Sequence, residues 1–159
     1  MLNIFRVAFF GHRNLYDFIK VDAHIDPIIE QLLSSKEYVE LLVGRNGDFD
    51  QLVSSAVRRA KRKYRDDNSA LVLVLPYLTA EYQNNQEAFE NYYDEVEVCQ
   101  RAGKAHYKSA ILIRNHDMVD RADLVVCYID HLSGGAYQAV KYAKAQNKPV
   151  INIFDTTSE

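Results

Sequence analysis

Three glycine-bearing segments hold the residues best suited to chemistry: Gly11-His12-Arg13, Gly44-Arg45-Asn46-Gly47-Asp48-Phe49-Asp50 and Ser133-Gly134-Gly135-Ala136. Glycine lets the backbone approach a ligand closely, and arginine offers a planar fork of N–H donors to a phosphate or carboxylate. His12 adds an imidazole that can titrate near neutral pH. Asn46 and Asp50 could orient a ribose or brace their own loop. Arg114, beside Asn115, is a further cation within one chain turn of several apolar residues. The candidate ligand-binding set is therefore Gly11, His12, Arg13, Gly44, Arg45, Asn46, Gly47, Asp50, Arg114, Gly134 and Gly135. Its chemistry suits an anionic, nucleotide-like small molecule.

Carboxylates offer a second kind of chemistry. Asp130, at the end of an apolar run, and Glu95 are the candidates for a catalytic acid or base. The five histidines are not paired in a ligand-type spacing, so no metal is expected, and no known cofactor fingerprint is present. The second glycine segment lacks the Gly-Lys-Ser/Thr of a phosphate-binding Walker loop, and no Gly-x-Ser-x-Gly elbow occurs. The basic run from Arg58 to Arg65 reads as the last turns of a helix, where cations favour the dipole, rather than as a nucleic-acid contact.

The elements that must position these residues are legible in outline. Apolar, β-branched runs cover 4–10, 39–43, 70–75, 124–129 and 150–154. Most are continuous, as in strands buried on both faces. Helical stripes lie between them. One begins at Asp26-Pro27, with Asp as cap and Pro at the first helical position. Others cover 49–64 and 136–145. In the second glycine segment the glycines suit positive φ and Asp48 suits a helix cap. Strands alternating with helices imply a parallel sheet with right-handed crossovers. Each glycine segment follows a strand, so all would meet at the carboxyl edge, where open α/β sheets bind ligands. The stretch 77–105, rich in Tyr and Glu, reads as a helix plus an irregular excursion.

Composition sets outer bounds. A length of 159 residues fits one domain spanning the chain. The net charge of -3 argues against nucleic acid as a partner. No apolar run approaches the roughly 20 residues needed to cross a bilayer, and no leader-type N-terminus is evident, so a cytoplasmic location is expected. Cys99 and Cys127 form no redox or metal spacing. Eleven tyrosines and no tryptophan concentrate aromatic surface in 77–107, which points to a homodimer contact there.

The order of Gly11-His12-Arg13, Val43 to Asp50, Arg114-Asn115 with Met118-Val119-Asp120, Asp123 to Val126, and Gly134-Gly135 resembles the SLOG superfamily. That group is named for the DNA-processing Smf proteins and the Lonely Guy proteins, and the closer resemblance is to its small stand-alone bacterial branch. The resemblance implies a Rossmann-like fold, a nucleotide-type ligand at the glycine-rich edge and frequent homodimers. Lonely Guy enzymes carry Pro-Gly-Gly-x-Gly-Thr-x-x-Glu, whose Glu works on an N-glycosidic bond. Here Ala136 replaces the Thr and Ala139 stands where the Glu is expected. A methyl group cannot stabilise the positive charge that develops on the sugar.

The expectation is therefore an α/β, Rossmann-like three-layer fold with a mainly parallel five-stranded sheet. Its expected function is binding a nucleotide or nucleotide-derived phosphorylated molecule, as sensor or regulator. A nucleotide N-glycosidase or glycosyltransferase is the alternative, and a nucleic-acid-associated protein the third reading.

Overall fold

The computed structural model describes residues 2–103 and 105–157. The chain runs β1 (Ile4–Gly11), α1 (Phe18–Ser35), β2 (Tyr38–Val43), α2 (Asp48–Lys63), β3 (Ser69–Leu75), α3 (Ala80–Asn84) and α4 (Gln86–Tyr92). It continues with β4 (Glu95–Val98), a single 3-10 turn, α5 (Tyr107–Arg121), β5 (Leu124–Tyr128), α6 (Gly135–Ala145), β6 (Val150–Asn152) and α7 (Ile153–Thr157). The strands form one six-stranded sheet in the order β4-β3-β2-β1-β5-β6, and every pairing is parallel.

The continuous apolar runs serve two cores at once, because alternate side chains leave opposite faces of a strand. Val7 and Phe9 of β1, Leu41 and Val43 of β2, and Leu71, Leu73 and Leu75 of β3 face one core. That core is completed by Ile25, Ile29 and Leu33 of α1 and by Phe49, Val53 and Val57 of α2. Ala8, Phe10, Leu42, Val72, Val74, Val125 and Cys127 face the other, against Met118 and Val119 of α5 and Val140 of α6. Helices thus cover both faces of the sheet, giving three layers.

The sixth strand corrects the expected five. Glu95-Val96-Glu97-Val98 pairs with Val72 to Leu75 at the sheet edge. It is short and alternating and lies inside a polar stretch, so no long apolar run marks it. Such a strand suits an edge, where charged residues discourage further pairing. The helix assigned to Asp26-Pro27 in fact starts at Phe18, where Asp17 caps it by accepting from the Lys20 amide at 3.0 Å. Val21 and Ile25 extend the buried stripe backwards, and exposed Pro27 lies inside the helix. Asp26 instead pairs with Arg59 at 2.6 Å.

The tyrosine-rich excursion folds back on the chain that carries it. Phe89 and Tyr93 are buried in the first core, and Tyr82 and Tyr92 pack against it. Tyr92 and Tyr93 meet edge to face, and Arg58 lies over the Tyr92 ring. These rings therefore have partners within the chain, although Tyr77 and Tyr107 remain exposed. Among the described residues no helix is long and apolar enough to cross a membrane.

Candidate ligand cleft at the carboxyl edge

The strand order turns around at β1. From there the chain builds outward through β2, β3 and β4 on one side, and returns to β5 and β6 on the other. Loops leaving β1 and β5 must diverge, and the divergence opens a crevice beyond their carboxyl ends. A cleft of about 390 Å³ lies there. Its lining includes Gly11, His12, Arg13, Tyr16, Gly44, Asn46, Asp50, Arg114, Asp130, His131, Gly134 and Gly135. Nine of the eleven expected ligand-binding residues thus border one space, together with Asp130.

Arg45 and Gly47 do not. The Arg45 side chain turns over Phe89, donates to Glu81 at 2.9 Å and reaches the Tyr93 hydroxyl at 3.0 Å. Gly47 supports the Arg13 loop from behind: a Cβ there would lie 2.5 Å from the Arg13 Cα. Glu95 is also remote from the cleft. It opens β4 among Glu40, Glu97 and Asp94, and burial followed by those acids pushes its carboxyl above the usual range.

The glycines serve different purposes than expected. Gly11, Gly44 and Gly47 are chosen for room rather than for positive φ. A Cβ on Gly11 would overlap the Phe49 ring. On Gly44 it would lie 3.1 Å from Asp50 Oδ2 and 3.2 Å from the Arg114 guanidinium. Only Gly134 among the described glycines has positive φ, at +94°. Gly134 caps α6 without any side-chain hydrogen bond, and nothing lies within 4 Å of where a Cβ on Gly134 or Gly135 would stand. The free amides of that first turn are therefore open to an anion.

The charged groups at the cleft floor are held firmly. Arg114 is buried and donates to the Val74 carbonyl at 2.8 Å and to Asn115 Oδ1 at 2.9 Å. Asp50 accepts from the Asn46 amide at 2.9 Å. Burial raises the Asp50 carboxyl above its ordinary value, while the Asn46 amide and Arg114 oppose the rise. Arg13 differs, since it is exposed and its Nε donates only to the Asn46 carbonyl at 3.1 Å. Asp48, expected as a helix cap, is the first residue of α2, and its carboxylate accepts from the Leu15 amide at 3.0 Å.

His12 is buried and reaches across the crevice to the β5 loop. Its Nε2 accepts from the Asp130 amide at 3.1 Å, and its ring stacks on His131 with centroids 3.6 Å apart. Burial, then His131, draws its pKa below the ordinary imidazole value, against the pull of Asp130. Burial and His131 thus favour the neutral imidazole over the charged one. His131 and Tyr16 are cleft residues that no sequence pattern singled out. Ala139, where the resemblance to Lonely Guy proteins would place a glutamate, is fully buried in the second core and does not border the cleft.

No protein-family model and no curated protein sequence matches this chain. Solved structures do match its fold. DNA processing protein A from Helicobacter pylori, described for its unique single-stranded DNA binding mode, aligns with a TM-score of 0.63 at 16% identity. That alignment covers 92% of this chain and 63% of the other. DNA processing protein A from Streptococcus pneumoniae aligns with a TM-score of 0.68 at 14% identity, over 98% of this chain and 54% of the other. The chain thus spans less than two thirds of either protein. At these identities the likeness is one of fold alone, and it agrees with the Rossmann-like, three-layer architecture.

The likeness also corrects one expectation. Net charge argued against nucleic acid as a partner, yet the same fold occurs in a protein that binds single-stranded DNA. Net charge averages the whole surface, whereas phosphate contact depends on a few local donors. In this chain many acids are held in ion pairs away from the cleft, such as Asp22 and Asp26 with Arg59 and Asp94 with Lys61.

Proposed function

We propose that this chain binds single-stranded nucleic acid and seats one nucleotide of the strand in the cleft at the carboxyl edge. The observation that carries the reading is Tyr16. It is 94% exposed and lines the same cleft as the start of α6, where the Gly134 cap supplies no side-chain hydrogen bond. An exposed ring beside phosphate donors is how strands are held without reading sequence: bases stack and the backbone is neutralised. Arg13 and the amides of Gly134 and Gly135 take a phosphate, and Tyr16 takes a base. The fold shared with a single-stranded DNA-binding protein supports the same reading.

The second reading is a free nucleotide or nucleotide-derived phosphorylated molecule, held by a sensor or regulator. The cleft's volume favours it, since about 390 Å³ lies within the range of roughly 300–1,000 Å³ typical of small-ligand sites. Competition distinguishes the two. A labelled oligodeoxythymidine bound to the protein should be displaced by unlabelled oligonucleotide at far lower concentration than by thymidine monophosphate. Equal potency of the mononucleotide would favour the small ligand.

A further inference from the structure

His12, Asp130 and His131 form the one cluster of metal-type side chains found among the described residues, and neither function above uses them as such. They come from two loops more than a hundred residues apart in sequence, which is why spacing alone gives no metal signal. Their candidate ligand atoms all lie within 4.8 Å of one another. Asp130 Oδ1 is central, 3.2 Å from His12 Nε2 and 2.6 Å from His131 Nδ1.

The hydrogen-bond arithmetic at His12 is mismatched. Its Nε2 meets both the Asp130 amide, a donor, and the Asp130 carboxylate, an acceptor. A bare nitrogen accepts from the amide but confronts the carboxylate lone pairs. A protonated nitrogen satisfies the carboxylate but confronts the amide hydrogen. Whichever tautomer forms, one contact is wrong. A cation between Nε2 and Oδ1 removes the conflict with the carboxylate, but it takes the Nε2 lone pair from the Asp130 amide, which must then turn away.

We propose that His12 Nε2, Asp130 Oδ1 and His131 Nδ1 bind one divalent first-row transition ion of the zinc or cobalt type at the mouth of the cleft. Two imidazoles and one carboxylate favour such ions over magnesium or calcium, which prefer all-oxygen sites. Ligand bonds of about 2.0–2.2 Å put neighbouring donors of a tetrahedral site roughly 3.4 Å apart, close to the 3.2 Å between His12 Nε2 and Asp130 Oδ1. The two rings are stacked at 11°, so one ion cannot lie in both planes. His131 must turn out of the stack, and its side chain is 56% exposed. Three protein ligands leave a position open toward the cleft, the arrangement of an exchangeable site rather than a closed structural one.

The site stands independently of the nucleic-acid reading. The test is calorimetric titration of chelator-treated protein with zinc chloride, with cobalt chloride absorption as the second readout. One ion should bind per chain, and cobalt should give visible ligand-field bands. His131→Ala and Asp130→Asn should each weaken binding by at least about tenfold, the usual cost of disturbing a ligand shell. His106→Ala, at the start of α5, should change nothing. His131 is exposed, so its variant keeps the test valid even if His12→Ala does not fold. No saturable binding, or binding unchanged in His131→Ala, overturns the site. Lost oligonucleotide binding with intact zinc binding would strike only the nucleic-acid reading.

Discussion

Asp48 clasps the loop that carries Arg13. Its amide donates to the Arg13 carbonyl at 2.7 Å, and its carboxylate accepts from the Leu15 amide at 3.0 Å. The first and second glycine segments are thereby joined, with Gly47 packed against the Arg13 backbone.

That clasp sets the first expectation. Asp48→Ala leaves the Leu15 amide without its acceptor and should cost roughly 1–3 kcal/mol. In a chain of this size each kcal/mol is about 2–4 °C in Tm. Asp48→Asn keeps an acceptor and should lose less. Thermal denaturation of the two variants checks the order.

Gly134 and Gly135 separate strain from approach. Gly134→Ala puts a side chain at φ +94° and should lower stability by about 1 kcal/mol or more. Gly135 has no such constraint and open space before it. Gly135→Ala should keep its Tm yet weaken ligand binding, because the new methyl stands where a phosphate would approach the helix start. Unchanged affinity in Gly135→Ala would move the phosphate elsewhere.

Cys127 gives an expectation in pH. Burial pushes its thiol up to about 12, with Lys144 opposing. In the unfolded chain a thiol ionises near 8.5. The neutral thiol is therefore favoured by folding. That stabilisation is fully present below about pH 8.5 and is lost as pH rises through the folded value of about 12. Iodoacetamide at pH 8.5 should leave native Cys127 unmodified and label it in denaturant, as read by mass spectrometry. Rapid labelling of native protein would contradict the packed strand.

The enzymatic alternative has a direct assay. Ala139, where the resemblance to Lonely Guy proteins would place a glutamate, is buried in the second core. Incubation with a panel of nucleoside monophosphates should release no free base, read by chromatography. Sustained release abolished by Asp130→Asn would instead establish an N-glycosidase.

How much of this was legible follows from the physics of each element. The long strands advertise themselves, because burial on both faces leaves Val7-Ala8-Phe9-Phe10 and Leu71 to Leu75 almost wholly apolar. Strand β4 does not, since an edge strand tolerates the alternation Glu95-Val96-Glu97-Val98. The convergence of Gly11, Gly44 and Gly134 follows from parallel topology alone. The destination of Arg45 does not, because its pull toward Glu81 and Tyr93 depends on where α3 and α4 fold. His131 and Tyr16 carry no local pattern, and only the crevice between β1 and β5 gives them neighbours.

Nucleic-acid binding itself is tested most directly by fluorescence anisotropy of a labelled oligodeoxythymidine, measured across a salt series. Wild-type protein should bind saturably, with affinity falling as salt rises. Arg13→Ala should weaken binding by about one to two decades and flatten the salt slope. Tyr16→Ala should weaken it by roughly 1–3 kcal/mol with the slope unchanged. Absence of saturable binding at low salt, or wild-type affinity in both variants, would contradict the account.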